Sequence, residues 1–154
     1  MISRIEEVQV DVRSMTHDDL AVVSDIERRS YEFPWSHGVF RDCLLAGYVC
    51  TALDRGGEMV GYGILSIAAG EAHILNLCVD PVFRSLGYGH RLLDELLYRA
   101  RQAEVREVFL EVRPSNRNAV ALYRKKGFHR IARRSNYYQS QDGREDAEVL
   151  ALKL

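Results

Sequence analysis

Short segments in which hydrophobic and polar residues alternate predict strands with one buried face. The first covers residues 8–12, and two more cover residues 48–53 and 59–67. Between the last two, Asp54-Arg55-Gly56-Gly57 supplies glycines that suit a hairpin turn. Residues 71–79 continue this meander, and Asp80-Pro81 ends it.

Other segments place hydrophobic residues three or four positions apart and therefore predict amphipathic helices. One runs from the N-cap Thr16 to about residue 30, and another from the N-cap Ser36 to about residue 45. The third and clearest helix has an apolar face made by Leu92, Leu93, Leu96, Leu97 and Ala100. A fourth helix covers about residues 116–126, and Gly127 suits the position just after its end.

Three further short strands are predicted at residues 108–112, 128–134 and 148–154. The order is then strand, two helices, three strands, helix, strand, helix and two strands. This order favours an α/β fold with a mixed sheet and helices packed on its faces. No repeat or proline-rich linker divides the chain, so we expect a single domain over residues 1–154.

Composition is that of an ordinary globular protein, with 154 residues, 47% hydrophobic and 28% charged residues. The formal net charge of -1 predicts no strong field for nucleic acid or anionic lipid. A local basic patch around Arg130, Arg133 and Arg134 is still compatible with that total.

The three cysteines, Cys43, Cys50 and Cys78, are odd in number and form no C-x-x-C pair, which favours free thiols in a reducing compartment. The five histidines lack paired-ligand spacing, so we expect no metal. Residues 1–11 do not have the pattern of a signal peptide, and no apolar run reaches membrane-spanning length. We therefore predict a cytoplasmic protein.

A glycine-containing segment, Arg84-Ser85-Leu86-Gly87-Tyr88-Gly89, joins the third strand of the meander to the clearest helix. A helix N-terminus presents unpaired N–H groups to an anion, and glycines let a diphosphate approach the backbone. Neither a P-loop nor a full G-x-G-x-x-G motif is present. Taken alone, the segment fits anion binding and a plain strand-to-helix turn equally well.

The R-x-x-G-x-G pattern in this position resembles the signature loop of the GNAT acetyltransferase superfamily, and the element order matches that fold too. The resemblance implies a mixed, mostly antiparallel central sheet with flanking helices. It also implies acetyl-CoA as co-substrate, with its pyrophosphate on the backbone amides of residues 84–89 and of His90. The preceding strand would splay from its neighbour and offer Leu77, Cys78 and Val79 to the pantetheine and thioester.

A closer resemblance, over essentially the whole chain, is to RimI-type enzymes of this superfamily. The shared segments include Phe33-Pro34-Trp35-Ser36, Asn76-Leu77-Cys78-Val79-Asp80-Pro81, Leu110-Glu111-Val112-Arg113, Ser115-Asn116, Ala121-Leu122-Tyr123, Gly127-Phe128, Asn136-Tyr137-Tyr138 and Asp142-Gly143-Arg144-Glu145-Asp146-Ala147. Those enzymes acetylate the N-terminal alanine of small-subunit ribosomal protein eighteen. The resemblance implies that partner, with no direct nucleic acid, no membrane and a monomeric enzyme. Arg84, often glutamine in relatives, and Cys78, often a smaller residue, are departures from the pattern.

Acetyl transfer to an α-amino group, whose pKa is roughly 7.7–8.0, requires removal of a proton. Glu111 lies mid-strand, where alternation puts it on the face opposite Leu110 and Val112. Partial burial there is expected to raise its pKa and favour a role as base, the role that the resemblance assigns to it. The residues alone favour a glutamate paired with an arginine such as Arg113, and only the resemblance reverses that preference.

The resemblance makes Tyr123 the acid that protonates the departing thiolate, and Asn116 a hydrogen-bonding partner of the coenzyme. From its position alone, Tyr123 also fits a core aromatic residue, and Asn116 a helix N-cap. The backbone near Cys78 and Val79 would stabilise the tetrahedral oxyanion. The Cys78 side chain is interpreted as a buried small hydrophobe rather than a nucleophile.

Two aromatic segments match the loops that flank the peptide channel in relatives, and they supply Phe33, Pro34, Trp35, Tyr137 and Tyr138. Exposed aromatic residues suit an extended chain end, although Phe33 and Trp35 also fit core positions. The amine would attack directly in a ternary complex. Two other functions stay open: acetylation of a small amine or lysine side chain, and a non-catalytic acetyl-CoA-binding module.

Overall fold

The structure, a computed structural model, describes residues 8–154, so residues 1–7 of the predicted N-terminal segment lie outside the described residues. Within that range, seven strands and four α-helices follow one another in the predicted order. The elements are β1 (Val10–Ser14), α1 (Leu20–Ser30), α2 (His37–Leu45), β2 (Val49–Arg55), β3 (Glu58–Ala68), β4 (Glu71–Val79), α3 (Tyr88–Gln102), β5 (Glu107–Val112), α4 (Arg117–Lys125), β6 (His129–Ser140) and β7 (Gly143–Lys153). No helix in residues 8–154 is long and apolar enough to cross a membrane.

All seven strands form one sheet in the order β1-β2-β3-β4-β5-β7-β6. Every neighbouring pair is antiparallel except β4 and β5, which are parallel. The connection between these two strands contains α3, as a parallel crossover requires. The predicted fold, a mixed and mostly antiparallel sheet with flanking helices, is confirmed.

Hydrophobic residues fill a core on each face of the sheet. The predicted apolar face of α3, from Leu92 to Ala100, is buried, and most of it joins Tyr123 of α4 on one side of the sheet. Leu20, Val23 and Ile26 of α1 pack with Phe40 of α2 on the other side. The periodicity of the sequence therefore predicted correctly the hydrophobic residues that α1 and α3 bury.

Several element boundaries differ from the prediction. The first strand is Val10–Ser14, and the segment after Thr16 begins with a 3-10 turn, His17–Asp19, before α1. The largest error concerns β6 and β7, which form one long hairpin that extends well past the predicted residues 128–134 and 148–154. Most side chains of β6 are exposed, so its sequence lacks the alternation of buried residues that marks a strand.

The parallel pairing of β4 with β5 ends at the register pair Ile74 and Leu110. At the same point the register between β3 and β4 skips Leu75, because Ile64 pairs with Asn76 and Leu65 pairs with Ile74. Leu75 is thus a β-bulge, which bends a strand and shifts its alternation by one residue. Beyond it β4 runs on to residue 79 without β5 beside it, and the sheet opens.

The bulge changes which face each β4 side chain occupies. Before it, Ala72 and Ile74 lie in the core under α3 and α4. After it, Cys78 lies in the core under α1 and α2. In a strand without a bulge, Cys78 would share the face of Ala72 and Ile74, because it is an even number of positions away from them. Asn76 consequently reaches α1, where its side-chain amide donates to Glu27 at 3.0 Å.

Glu27 lies on the buried stripe of α1 and is only 2% exposed. Its carboxylate accepts hydrogen bonds from the Tyr62 hydroxyl at 2.6 Å, from Asn76, and from the backbone N–H of Trp35 at 2.9 Å. These donors come from β3, β4 and the segment between α1 and α2. A single buried carboxylate therefore joins α1 to the sheet and to the aromatic segment.

Replacing Glu27 by Gln should destabilise the protein, because the amide has one acceptor oxygen and turns an NH2 group toward donors. We expect the free energy of unfolding to fall by about 2–4 kcal/mol. Urea denaturation measures this change. Glu58→Gln, at an exposed position of β3, is the matched control, expected to stay within about 0.5 kcal/mol of the parent chain. Equal stability of the two variants would contradict the assigned role of Glu27.

Candidate active site

The segment between β4 and α3 is held to α1 and to the end of β4 by side-chain contacts. The carboxylate of Asp80 accepts from both terminal nitrogens of Arg29 in α1 at 2.9 Å and from the backbone N–H of Val82 at 3.0 Å. These hydrogen bonds hold the pKa of Asp80 below its usual value, Arg29 being the largest cause. Further along, Nε of Arg84 donates to the Val79 carbonyl at 3.2 Å.

Gly87 is the N-cap of α3 and has a φ of 85°, a left-handed conformation that favours glycine. A side chain added there would meet nothing within 4 Å, so the space in front of the helix is open. The first N–H groups of α3 have no partner within the helix. The backbone thus presents donors and a positive helix end to this space.

A cavity of about 480 Å³, here called the loop cavity, lies at this helix end. Its walls come from the free part of β4, the segment before α3, the first turn of α3 and one side of α4. Of the predicted coenzyme-binding residues, it is lined by Leu77, Cys78, Val79, Arg84, Ser85, Gly87, Tyr88, Gly89, His90 and Asn116. Leu86 is the exception, because its side chain is exposed and does not line the cavity.

A second cavity of about 410 Å³, here called the aromatic cavity, lies where β4 and β5 diverge. It is lined by Glu111 and Tyr123, the two predicted catalytic residues, and by Phe33, Trp35 and Tyr138 of the predicted substrate-binding set. Pro34 and Tyr137 of that set are not among its lining residues. The two cavities adjoin, since both are lined by Ser30, Tyr31, Leu77, Asn116 and Ala119.

Glu111 lies on β5 with its side chain only 9% exposed. One carboxylate oxygen is hydrogen-bonded to Nε2 of His73 on β4, and the other lies 3.6 Å from the guanidinium of Arg134 on β6. These contacts lower the pKa of Glu111, first through the hydrogen bond from His73, and they outweigh the opposing effect of burial. Burial acts in the predicted direction, but the prediction of a raised pKa is wrong, because these contacts outweigh it.

The alternative that pairs Glu111 with an arginine is confirmed, but the arginine is Arg134 rather than Arg113. Arg113 donates to the Gln139 carbonyl at 2.8 Å, lies 3.3 Å from Glu145, and stacks on Tyr138 with its guanidinium carbon 4.3 Å from the ring centre. It thereby ties the end of β5 to the β6–β7 hairpin. Glu111 is left facing the aromatic cavity.

Tyr123 is buried in α4 and packs edge-on against Phe128, with ring centres 5.6 Å apart. Its hydroxyl makes no side-chain hydrogen bond with residues 8–154, and burial raises its pKa above the usual tyrosine value. The prediction that Tyr123 is a core aromatic residue is therefore confirmed for its ring. Because it also lines the aromatic cavity, its phenol stays a candidate proton donor.

Asn116 is the N-cap of α4, as predicted, because its side-chain oxygen accepts from the Ala119 N–H at 3.3 Å. It also lies where the two cavities meet, and contact with the coenzyme stays a prediction. Cys78 is buried, and this burial raises the pKa of its thiol. A buried neutral thiol is a poor nucleophile, which supports the interpretation of Cys78 as a small hydrophobe.

In each of the two aromatic segments, one ring is partly buried and another is exposed. Trp35 is partly buried against Phe40, with ring centres 5.2 Å apart, whereas Phe33 is 41% exposed. One of the two thus contributes to the core and the other is available at the cavity. Tyr138 is partly buried, and Tyr137 is exposed with its ring 4.8 Å from that of Tyr138.

The prediction that Asn136, Tyr137 and Tyr138 form a loop is wrong, because they lie within β6. Asn136 has a φ of 55°, and the register with β7 shifts between Arg134 and Tyr138. Asparagine tolerates this left-handed conformation better than most residues. The irregularity gives the strand a local bend next to the aromatic cavity.

Two residues of the site, Glu27 and His73, were not predicted from the sequence. Glu27 could have been found, because it continues the helical spacing of Leu20 and Val23 and so places a charge on a buried stripe. His73 has no such signal. Its partner Glu111 is 38 positions away, and only the parallel pairing of β4 and β5 brings the two together.

Comparison with known proteins identifies the family of the chain. The family model described as the acetyltransferase (GNAT) family matches residues 20–128. The ribosomal protein bS18-alanine N-acetyltransferase of Escherichia coli strain K12 is 36% identical over 143 residues, which are 93% of this chain and 97% of that protein.

Solved structures agree with this assignment. The crystal structure of the ribosomal-protein-S18-alanine N-acetyltransferase from Escherichia coli has a TM-score of 0.89 and covers 94% of each chain at 36% identity. Arabidopsis thaliana NAA60 in complex with acetyl-CoA shares the fold at 20% identity, with a TM-score of 0.86 over 95% of this chain and 99% of that one. The chain therefore belongs to the GNAT family of acetyltransferases.

Proposed function

We propose that the protein is a RimI-type N-α-acetyltransferase that moves an acetyl group from acetyl-CoA to the N-terminal alanine of small-subunit ribosomal protein bS18. The observation that carries this proposal is the meeting of two cavities at the opening between β4 and β5. One cavity lies at a helix N-terminus suited to a diphosphate, and the other contains Glu111 and Tyr123. The similarity to enzymes with this substrate supports the choice of acceptor.

Acetyl-CoA fits the loop cavity on chemical grounds. The N-terminus of α3 supplies backbone donors for the pyrophosphate, and Gly87 leaves the approach open. Arg84 adds a positive charge at the same place. From there the pantetheine chain would follow Leu77, Cys78 and Val79, which carries the thioester toward the aromatic cavity.

Glu111 is suited to accept a proton from the incoming ammonium group. Its lowered pKa keeps it ionised at neutral pH, and its burial beside the cavity leaves little water to compete for it. The amine nitrogen then forms a bond to the thioester carbon. Its second proton, lost as the amide forms, replaces the proton that Tyr123 gives to the departing thiolate, and Glu111 releases the first proton to solvent. Backbone N–H groups near Cys78 and Val79 would stabilise the oxyanion of the tetrahedral intermediate.

Collapse of that intermediate breaks the carbon–sulfur bond and releases the coenzyme as a thiolate. Tyr123 is suited by its position to protonate it, because it lines the aromatic cavity and a phenol is protonated at neutral pH. Phe33, Trp35 and Tyr138 line the cavity where the peptide end would lie, with Pro34 and Tyr137 beside it. Rigid aromatic rings provide contact area for an extended chain at a low cost in conformational entropy.

Replacing Glu111 by Gln should lower kcat by roughly 10²- to 10⁴-fold, since the amide cannot accept the proton. Tyr123→Phe should give a smaller loss, because a thiol of pKa near 8.5 departs with only modest help. Both variants should bind acetyl-CoA with unchanged affinity in isothermal titration calorimetry. Glu58→Gln and Tyr98→Phe, at exposed positions, serve as matched controls. Parent-like turnover in both site variants would exclude the assigned mechanism.

The acceptor is tested with a panel of amines and acetyl-CoA, read by mass spectrometry. A peptide that copies the N-terminus of bS18 should be acetylated on its α-amino group, while spermidine and free lysine stay unmodified. Peptides changed at the second residue then show whether the enzyme selects for residues beyond the N-terminal alanine. Reaction of spermidine or lysine without the peptide would instead favour a small-amine or lysine acetyltransferase. No reaction with any acceptor would favour a non-catalytic module.

A further inference from the structure

We propose that His73 is a positioning residue that holds the Glu111 carboxylate and sets the pH range in which this carboxylate acts as the base. The proposal rests on the proposed function, since it concerns the same proton transfer. It goes beyond that function by assigning a role to a side chain on a different strand, outside both cavities.

The geometry follows from the only parallel pair in the described sheet. His73 is the register partner of Phe109, and Glu111 lies two residues further along β5, on the same face. The imidazole therefore reaches diagonally across the pair, and its Nε2 is hydrogen-bonded to Oε2 of Glu111. The paired register of the two strands ends one residue later, at Ile74 and Leu110.

The exposed fractions of the two side chains show which of them faces the aromatic cavity. The Glu111 side chain is 9% exposed and lines the aromatic cavity, whereas the His73 side chain is 37% exposed and does not line it. Glu111 thus lies between the space for the acceptor and the histidine. His73 acts on the reaction only through the carboxylate that it holds.

The other charged or titratable residues that line the aromatic cavity with Glu111 are Glu27, Tyr31, Glu32, Arg113, Tyr123 and Tyr138. From β6, Arg134 approaches the second carboxylate oxygen at 3.6 Å, and the Tyr138 hydroxyl group lies near enough to interact electrostatically. From β7, the residue opposite is the uncharged Val149. From α1, Glu27 lines the same cavity with its carboxylate already satisfied by three donors.

The contact from His73 is the largest of the influences that lower the pKa of Glu111, ahead of the charge of Arg134. Without it, a largely buried carboxylate would keep a 3.6 Å interaction with one exposed arginine and the weaker effect of its own backbone N–H. Burial disfavours the charged form, so the pKa of Glu111 should then rise. The base would be protonated, and therefore inactive, over a wider acidic range.

The pH dependence of kcat/KM reports this change directly. A free α-amino group titrates at roughly 7.7–8.0, so kcat/KM falls about tenfold per pH unit below that range through the substrate alone. Once Glu111 also becomes protonated, the fall steepens to about a hundredfold per unit. The pH at which the profile steepens is therefore a measure of the ionisation of Glu111.

The test compares His73→Leu, which removes the hydrogen bond, with His73→Gln, which keeps an N–H donor without an imidazole. We expect the steepening to move up by about one pH unit in His73→Leu and to return toward the parent position in His73→Gln. His17→Leu, in the exposed 3-10 turn before α1, is the control and should keep the parent profile. Carbon NMR of the labelled Glu111 carboxyl, assigned with Glu111→Gln, should show the same rise in pKa.

An unchanged profile in His73→Leu, or a uniform loss of kcat/KM that leaves the steepening at its parent pH, would overturn the proposal. An unchanged carboxyl titration in that variant would overturn it as well. Failure of the proposed function is distinguishable, because the parent chain would then leave the bS18 peptide unmodified, while failure of Glu111 as the base would appear as full activity in Glu111→Gln. Loss of activity in Glu111→Gln together with a parent profile in His73→Leu would remove only the role of His73.

Discussion

The separation of β4 from β5 is the constraint on which the rest of the site depends. Parallel pairing ends at Ile74 and Leu110, and the bulge at Leu75 bends β4 at that point. The opening that results provides space for two adjoining cavities inside one continuous sheet. The same bulge shifts the alternation of β4, so that Asn76 faces α1 and helps to fix the helix through Glu27. A single extra residue thus both opens the site and ties one of its walls in place.

Two carboxylates in this region show how environment separates structural from chemical roles. Glu27 is buried and accepts three hydrogen bonds, so its charge holds α1, the sheet and the aromatic segment together. Glu111 has an imidazole on one oxygen and a more distant arginine near the other, and it lines the cavity where an acceptor would lie. The geometry therefore favours Glu111 rather than Glu27 as the group that exchanges a proton.

The features predicted correctly from the sequence are those that neighbouring residues determine, and the errors concern features that depend on contacts between distant residues. The apolar face of α3, the N-caps Ser36 and Asn116 and the segment around Gly87 were predicted correctly, because each depends on neighbouring residues. The length of the β6–β7 hairpin was missed, since its exposed side chains carry no alternation. The pKa of Glu111 was predicted in the wrong direction, because His73 and Arg134 reach it only through strand pairing. The Leu75 bulge likewise has no local signal.

We propose that the opening past the bulge, together with the N-terminus of α3, forms the site for acetyl-CoA. A titration of ¹⁵N-labelled protein with acetyl-CoA, followed through the backbone amide signals, tests this directly. The largest changes should fall on Cys78, Val79, Gly87, Gly89 and His90, which line the loop cavity. Changes centred on the exposed strand β6, or no change at a saturating concentration of acetyl-CoA, would contradict it.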